Sequence, residues 1–222
     1  MGQNTESACG DLMTILIDKP IGVFIVDDHP IMRFGISAIV AGGGMKVLGQ
    51  AGTGAEAARM HQQLLPDVTL MDLRLPDMSG VEVIRRIRAH TPTAKIVVLT
   101  TYEGDEDIRQ ALEAGAGGYL IKGMSHDVLL KALHQVHRGS RFLPHAVIET
   151  LQTRRPGSHL SQREREVLQL MFKGMGNREI AEQLFIKEAT VKSHISVILM
   201  RLNVSDRTQA VVEGLKRGLV HL

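Results

Sequence analysis

Two adjacent carboxylates, Asp27 and Asp28, follow the apolar run "IGVFIV" at residues 21–26. Two like charges about 4 Å apart repel by roughly 4 kcal/mol at an effective dielectric near 20, so such a pair needs a cation or solvent between its members. A purely structural explanation also exists, in which Asp28 caps a helix that has Pro30 in its first turn. These residues alone leave both interpretations open.

Three more polar side chains stand at the ends of later apolar runs: an acid, a hydroxyl and an ammonium. They are Asp72, Thr100 and Lys122. If the runs are strands of one open parallel sheet, their carboxyl ends meet at the edge where ligands bind. A helix cap or simple solvation explains any one of these groups, but neither explains why four runs finish in this chemistry.

Clustered carboxylates with few other donors suit a hard cation, and Mg²⁺ takes oxygen ligands while keeping several waters. A carboxylate that faces the metal can attack a phosphoryl group and become an aspartyl phosphate. The metal and a nearby Lys would neutralise the charge on the transferring oxygens. The pattern therefore favours phosphoryl transfer at this edge.

The elements that position these residues are five short apolar runs, each followed by an amphipathic segment. The runs are residues 21–26, 45–50, 67–71, 95–100 and 117–121. They are aliphatic or β-branched and are bounded by Gly, Pro or polar residues, as buried strands are. In one intervening segment Val81, Ile84 and Ile87 recur at helical spacing. Alternation of strand and helix predicts an α/β fold, a doubly wound five-stranded parallel sheet.

The chain changes character after residue 140. Residues 141–158 contain "AVIETLQ", a candidate short helix, and end in "TRRPGS", which is typical of a linker. Residues 159–222 show no strand pattern and predict a small all-α domain of four helices. Its predicted helix caps are Ser161, Asn177 and Ser205 or Asp206, with Gly174 and Gly218 at or near C-termini.

The third helix of this tail has two different faces. At 100° per residue, Val191, Ile195, Ile198 and Leu202 share one face of residues 188–202. The opposite face carries small, hydroxyl and methyl side chains beside Lys192, whereas a purely solvent-facing helix would normally carry more charge. Such a face suits contact with base edges and phosphates, so the tail is predicted to be a helix-turn-helix.

Composition and charge limit the remaining possibilities. Residues 21–140 hold 12 Lys and Arg against 13 Asp and Glu, whereas residues 159–222 hold 10 against 7. An acidic front and a basic back fit two domains with different partners. Cys9 is the only cysteine, the apolar runs are too short to span a bilayer, and residues 1–20 lack the features of a secretory signal. We therefore expect a cytoplasmic protein with no membrane partner.

Residues 21–140 resemble the receiver domain of response regulators. The residues that carry the resemblance are Asp27, Asp28, Asp72, Thr100, Tyr119 and Lys122, with "LPDMSG" after the central acid. The resemblance implies that Asp72 accepts the phosphoryl group, that Lys122 is its partner, and that Thr100 and Tyr119 form the switch pair. It implies no enzymatic activity beyond self-dephosphorylation.

The same resemblance implies one Mg²⁺ ion at the sheet edge. Asp28 and Asp72 would be side-chain ligands, Asp27 would act through water, and the backbone carbonyl of Arg74 would complete the set.

Residues 159–222 resemble a LuxR-type helix-turn-helix, which together with the receiver indicates the NarL/FixJ class. The resemblance implies that Lys192, Ser193 and Ser196 lie toward the major groove. It places phosphate contacts near Thr190, Arg178 and Arg201, and dimer packing on the last helix, about 206–217. One residue departs from the pattern: Lys187 replaces the usual capping Ser, so we expect the start of the third helix to shift or fray.

These observations predict a DNA-binding transcriptional regulator of a two-component system. The implied partners are a sensor histidine kinase or a small phosphodonor, double-stranded promoter DNA, a second copy of the chain and, as a further candidate, RNA polymerase. One alternative is a phosphorylation-independent regulator. Another is a haloacid-dehalogenase-type hydrolase, which needs a second Asp two residues after the nucleophile, where this chain has Arg74.

Overall fold

The computed structural model describes residues 19–101, 104–152 and 160–220, so residues 1–20, which we expect to be an N-terminal extension of the receiver, lie almost wholly outside it. An α/β unit comes first. Its elements are β1 (Gly22–Val26), α1 (Pro30–Gly42), β2 (Lys46–Ala51), α2 (Gly54–Leu64), β3 (Val68–Met71), α3 (Gly80–His90), β4 (Ile96–Thr100), α4 (Asp105–Glu113), β5 (Gly118–Ile121) and α5 (His126–His137). An all-helical unit follows. Its elements, after the connecting α6 (His145–Gln152), are α7 (Gln162–Phe172), α8 (Asn177–Gln183), α9 (Glu188–Leu202) and α10 (Arg207–Lys216).

The five strands form one parallel sheet in the order β2-β1-β3-β4-β5. This order reverses beside β1 and β3, and such a reversal is where open α/β sheets bind ligands. Residues on alternate positions of the strands enter two separate hydrophobic cores, one on each face of the sheet. The predicted doubly wound fold is therefore confirmed.

The helices form where the sequence periodicity places them. Ser79 caps α3 by accepting the backbone N–H of Glu82, and Val81, Ile84 and Ile87 are buried against the sheet as predicted. Ser161 begins α7 with a full capping box, in which Glu164 also accepts the Ser161 backbone N–H. The helix boundaries predicted from the sequence are found in the structure because core packing and capping favour the same helix ends.

The structure excludes Asp28 as a helix cap, and the predicted cap at Asn177 was wrong. His29, not Asp28, occupies the N-cap position of α1, and Pro30 is the first helical residue. Gly176 precedes α8, so Asn177 lies inside that helix rather than capping it. The N-cap of α10 is Asp206, which accepts the backbone N–H of Gln209. Asp28 is thereby left available for other chemistry at the sheet edge.

Part of the predicted linker packs as part of the α/β unit. Phe142 bridges to Gly118 beside β5, and Val147 of α6 is fully buried in the core that contains Ile108 of α4. Only the residues after α6 remain between the two units, and residues 153–159 lie outside the described part of the chain.

Helices α7 to α10 enclose their own hydrophobic core. As predicted, Val191, Ile198 and Leu202 of α9 are buried, with Ile195 partly buried. The expected shift at the start of α9 does not occur: Lys187 stands at the N-cap position without a side-chain cap bond, and the helix begins at Glu188. Among the described residues, the helices are all too short or too polar to cross a membrane.

We predict that Val147→Ala destabilises the α/β unit by roughly 1–3 kcal/mol, because it leaves a cavity in a closed core. Ile148 is the control, since 37% of its surface is exposed on the same helix, and Ile148→Ala should cost no more than about 0.5 kcal/mol. Urea unfolding of the full chain measures both. Equal, small effects would show that α6 does not belong to this core.

Candidate functional site

The sheet edge brings together the acids and the ammonium that the sequence placed at strand ends. The Lys122 Nζ lies 2.6 Å from Asp27 Oδ2 and 2.5 Å from Asp72 Oδ2. Asp27 and Asp72 are almost completely buried, at 1% and 3% exposure. One ammonium therefore joins two buried carboxylates that follow β1 and β3.

Backbone bonds between neighbouring elements hold these groups in place. The backbone N–H of Asp72 donates to the carbonyl of Val26, and that of Lys122 donates to the carbonyl of Thr100. The site residues are thus extensions of the strand ladder, which fixes their separation.

The protonation of Lys122 is set by two opposing effects. Burial disfavours the ammonium, but hydrogen bonds to Asp27 and Asp72 and their negative charges outweigh burial and raise the pKa of Lys122 above its ordinary value. Lys122 is therefore charged at neutral pH, as partial neutralisation of two buried carboxylates requires.

His29 is a neighbour of the site that sequence reasoning missed. Its Nδ1 lies 2.6 Å from Asp28 Oδ1 and 3.4 Å from Asp27 Oδ1. Asp27, Asp28, His29 and Asp72 each offer a ligand atom within 4.8 Å of the others. The adjacency of His29 to the acid pair was the signal that could have identified it.

Thr100 and Tyr119 lie on neighbouring strands behind the acids. The Thr100 hydroxyl is fully buried and has no hydrogen-bond partner in the described part of the chain. The Tyr119 side chain is also fully buried, in the core next to Ile108 and Val147. The Tyr119 ring therefore lies inside the receiver core in this structure.

Arg74 follows β3 and points toward α4. Its backbone N–H donates to Asp72 Oδ1 at 3.2 Å, and its guanidinium lies 3.5 Å from Asp107 Oδ1. Its side chain thus extends from the acid cluster to the first turn of α4.

The predicted reading face of α9 is open. Seven residues form this face or stand beside it, and all are exposed except half-buried Val197: Ala189, Thr190, Lys192, Ser193, Ser196, Val197 and Met200. The hydroxyls of Ser193 and Ser196 donate to α9 backbone carbonyls, and Lys192 lies 3.1 Å from Glu188. Lys192 is 64% exposed, so its bond to Glu188 is a weak surface pair that DNA can replace.

The two arginines predicted to contact phosphates occupy different environments. Arg178 is 86% exposed and pairs with Glu182 on the surface of α8. Arg201 instead donates to the nearly buried carboxylate of Glu164 at 2.5 Å, which joins α9 to the start of α7. The structure therefore gives Arg201 an internal role that the sequence pattern did not indicate.

Two family models together match most of the chain. The response regulator receiver domain matches residues 23–134, and the bacterial regulatory proteins of the luxR family match residues 158–213. The chain is a response regulator of the NarL/FixJ class. This confirms the family that the sequence resemblance indicated.

Relatives agree with this assignment over nearly their whole lengths. The response regulator is 36% identical to the transcriptional regulatory protein DegU of Brevibacillus brevis, over 91% of this chain and 96% of the relative. It is 34% identical to the nitrate/nitrite response regulator protein NarL of Escherichia coli K12, over 87% and 94%.

A solved structure gives the same result. RcsB of Salmonella enterica serovar Typhimurium, bound to a promoter in the presence of the phosphomimetic BeF3⁻, matches with a TM-score of 0.67 and 27% identity, over 88% of this chain and 98% of that one. The response regulator is a two-component transcriptional regulator with a receiver domain and a LuxR-type DNA-binding domain.

We predict that Arg201→Ala destabilises the C-terminal domain by roughly 1–3 kcal/mol, because it leaves the Glu164 carboxylate without a charged partner. Arg178→Ala should change stability by no more than about 0.5 kcal/mol, since its ion pair is exposed. Thermal unfolding measures both variants. A larger loss for Arg178→Ala than for Arg201→Ala would contradict this assignment.

Proposed function

We propose that Asp72 is the residue at which this response regulator is phosphorylated, by a sensor histidine kinase or a small phosphodonor. The observation that carries the proposal is the single ammonium shared by Asp27 and Asp72. Lys122 is positioned to pair with a phosphoryl oxygen once Asp72 is modified. An oxygen of Asp72 attacks phosphorus, the bond between phosphorus and the donor breaks, and the donor leaves with the bonding electron pair.

The acidic cluster supports a Mg²⁺ ion at this site. Asp27, Asp28 and Asp72 supply the carboxylate oxygens that this cation prefers, and the carbonyl of Arg74 follows within the same loop. When bound, the ion neutralises charge that develops on the phosphoryl oxygens. Asp28 and Asp72 are proposed as direct ligands, with Asp27 acting through water.

Thr100 provides a hydrogen bond that the unmodified site leaves unused. A buried hydroxyl without a partner costs free energy, and a phosphoryl oxygen on Asp72 would accept its proton. We assign Thr100 to the recognition of the phosphorylated state. Tyr119, on the neighbouring strand β5, is proposed as the switch partner of Thr100.

The output is promoter binding by the C-terminal domain. Lys192, Ser193 and Ser196 are proposed to face the major groove, with phosphate contacts from Thr190 and Arg178. Arg201 remains a candidate phosphate contact only if it leaves Glu164. We also propose that the protein binds DNA as a dimer through α10 and contacts RNA polymerase. Cytoplasmic location and self-dephosphorylation are part of the same proposal.

Asp72→Asn should abolish Mg²⁺-dependent labelling by acetyl phosphate, because the amide oxygen is a poor nucleophile. Asp77→Asn is the control: Asp77 accepts the backbone N–H groups of Gly54 and Ala55, away from Lys122, and should still permit labelling. Label that persists on Asp72→Asn would disprove the assignment of the acceptor. Continuous release of phosphate by the wild type would favour a hydrolase, and no label at all would favour a phosphorylation-independent regulator.

Lys192→Ala should weaken promoter binding by roughly 1–3 kcal/mol if its ammonium contacts a base edge. If Lys192 contacts only phosphate, the affinity should fall equally on all DNA sequences. The slope of the logarithm of the binding constant against the logarithm of salt concentration should then decrease in magnitude by about one. Gel-shift titrations at several salt concentrations distinguish these cases. Lys173→Ala, at the exposed end of α7, provides a control with the same change of charge, and an equal loss from both variants would argue against a reading role for Lys192.

A further inference from the structure

The turn between α8 and α9, residues 184–187, holds a large aromatic side chain in an unfavourable position. Phe185 has a φ of 53°, in the left-handed region, and 96% of its surface is exposed. A bulky residue in this region is a conformational outlier, because its Cβ crowds the following carbonyl. The ring also lies outside the hydrophobic core of the C-terminal domain. The fold therefore gains nothing from a phenyl ring at this position.

The hydrogen bonds of this turn explain why a left-handed residue is required there. The backbone N–H of Ile186 donates to the carbonyl of Ala181, and that of Phe185 donates to the carbonyl of Glu182. These two bonds form a Schellman motif, which ends a helix with one left-handed residue that is usually Gly. Glycines with positive φ follow α1, α4, α5, α7 and α10 in this chain. Phe185 therefore occupies a position where the backbone favours Gly.

The residues on both sides of Phe185 are fixed by the C-terminal domain. Leu184 and Ile186 pack against its core, and the Leu184 carbonyl accepts a hydrogen bond from the Arg163 guanidinium at 2.6 Å. Because both neighbours are held inward, a rigid turn presents the Phe185 side chain to solvent. A side chain held in this way loses little conformational entropy when a partner binds.

The turn leads directly into the predicted reading face of α9. Three residues after Phe185 are exposed and continue toward Lys192: Lys187, Ala189 and Thr190. DNA bound at that face is therefore the macromolecule that would lie beside the ring. Its major groove offers an apolar group that Phe side chains contact, the C5 methyl of thymine, and its backbone offers the apolar surface of deoxyribose.

Leu65 provides an internal comparison. It follows α2 with a φ of 45° and is 71% exposed, so its backbone carries the same kind of conformational cost. Leu65 belongs to the receiver domain, however, and not to the domain that carries the reading face. Strain and exposure at a helix end are therefore insufficient to assign a role, and the position of Phe185 directly before α9 makes the difference.

We propose that Phe185 is a DNA-contacting residue, whose ring packs against an apolar group of the duplex at the edge of the major groove. That group is the C5 methyl of thymine or the deoxyribose of a nearby nucleotide. The contact adds an apolar component to the polar contacts assigned to Lys192, Ser193 and Ser196. Removal of the ring from water in the complex offsets the cost of the left-handed backbone. This inference rests on the proposed orientation of α9 toward DNA.

Phe185→Gly separates the effect of the ring on stability from its effect on binding. Gly adopts the left-handed conformation without strain, so the midpoint of thermal unfolding should rise by a few degrees. Affinity for DNA should fall about tenfold, because the apolar area of a phenyl ring is no longer buried in the complex. The probe is a duplex that the wild-type full-length protein selects from a random pool, and gel-shift titration measures its affinity.

Three further variants control for changes in the turn itself. Leu65→Gly relieves the same kind of strain and should keep wild-type DNA affinity. Phe185→Asn also tolerates the left-handed conformation but is less flexible than Gly, and it should lose as much affinity as Phe185→Gly. Phe185→Tyr keeps the ring and should keep most of the affinity.

Uracil in place of thymine identifies the group that the ring contacts. If the group is a thymine methyl, uracil at one position should weaken wild-type binding about fourfold, while binding of Phe185→Gly should not change at that position. If the group is deoxyribose, no single uracil should have this effect, and Phe185→Gly should lose affinity equally on all sequences. Either result supports a contact between the ring and DNA.

Wild-type DNA affinity in Phe185→Gly would overturn the inference. A loss of transcriptional activation in that variant, with DNA affinity unchanged, would assign the ring to a partner protein instead. If Lys192→Ala weakens binding and Phe185→Gly does not, this inference fails while the proposed function stands. Absence of any DNA binding by the wild type would count against the proposed function, and the inference would fail with it.

Discussion

The ion triad of Asp27, Lys122 and Asp72 is the constraint on which the rest of the receiver depends. Removing each carboxylate from water costs several kcal/mol, and the shared ammonium offsets that cost only if all three groups are held at hydrogen-bond distance. The strand ladder supplies this precision, because the residues directly follow β1, β3 and β5 in one parallel sheet. The arrangement keeps the Asp72 carboxylate buried and already paired with a positive charge.

The same edge of the sheet gives the site its connection to the second domain. Thr100 ends β4 and lies four residues before Gly104, the N-cap of α4, and Arg74 extends from the Asp72 loop to Asp107 on the same helix. The loop after Asp72 and the first turn of α4 are therefore joined by one ion pair. That turn also contacts the second domain, because the backbone N–H of Glu106 donates to the carbonyl of Arg217.

Two residues, Arg201 and Val147, have contacts in the structure that differ from those expected from the sequence. Arg201 fits a phosphate contact by its position on α9, yet it pairs with Glu164 of α7, which is distant in sequence. Val147 was assigned to a linker, yet it fills the receiver core. Both outcomes follow from neighbours on other elements, which periodicity along one segment does not contain.

The sequence by itself determined the strand and helix order, the fold class, the family, and the convergence of Asp27, Asp72, Thr100 and Lys122 on one edge. These features follow from local patterns and from the rule that parallel strands present their carboxyl ends together. Only the tertiary structure decided that Tyr119 is already buried, that His29 borders the acids, and that α4 meets α10 end to end. Those facts depend on distances between elements far apart in the chain, which packing sets and residue spacing does not record.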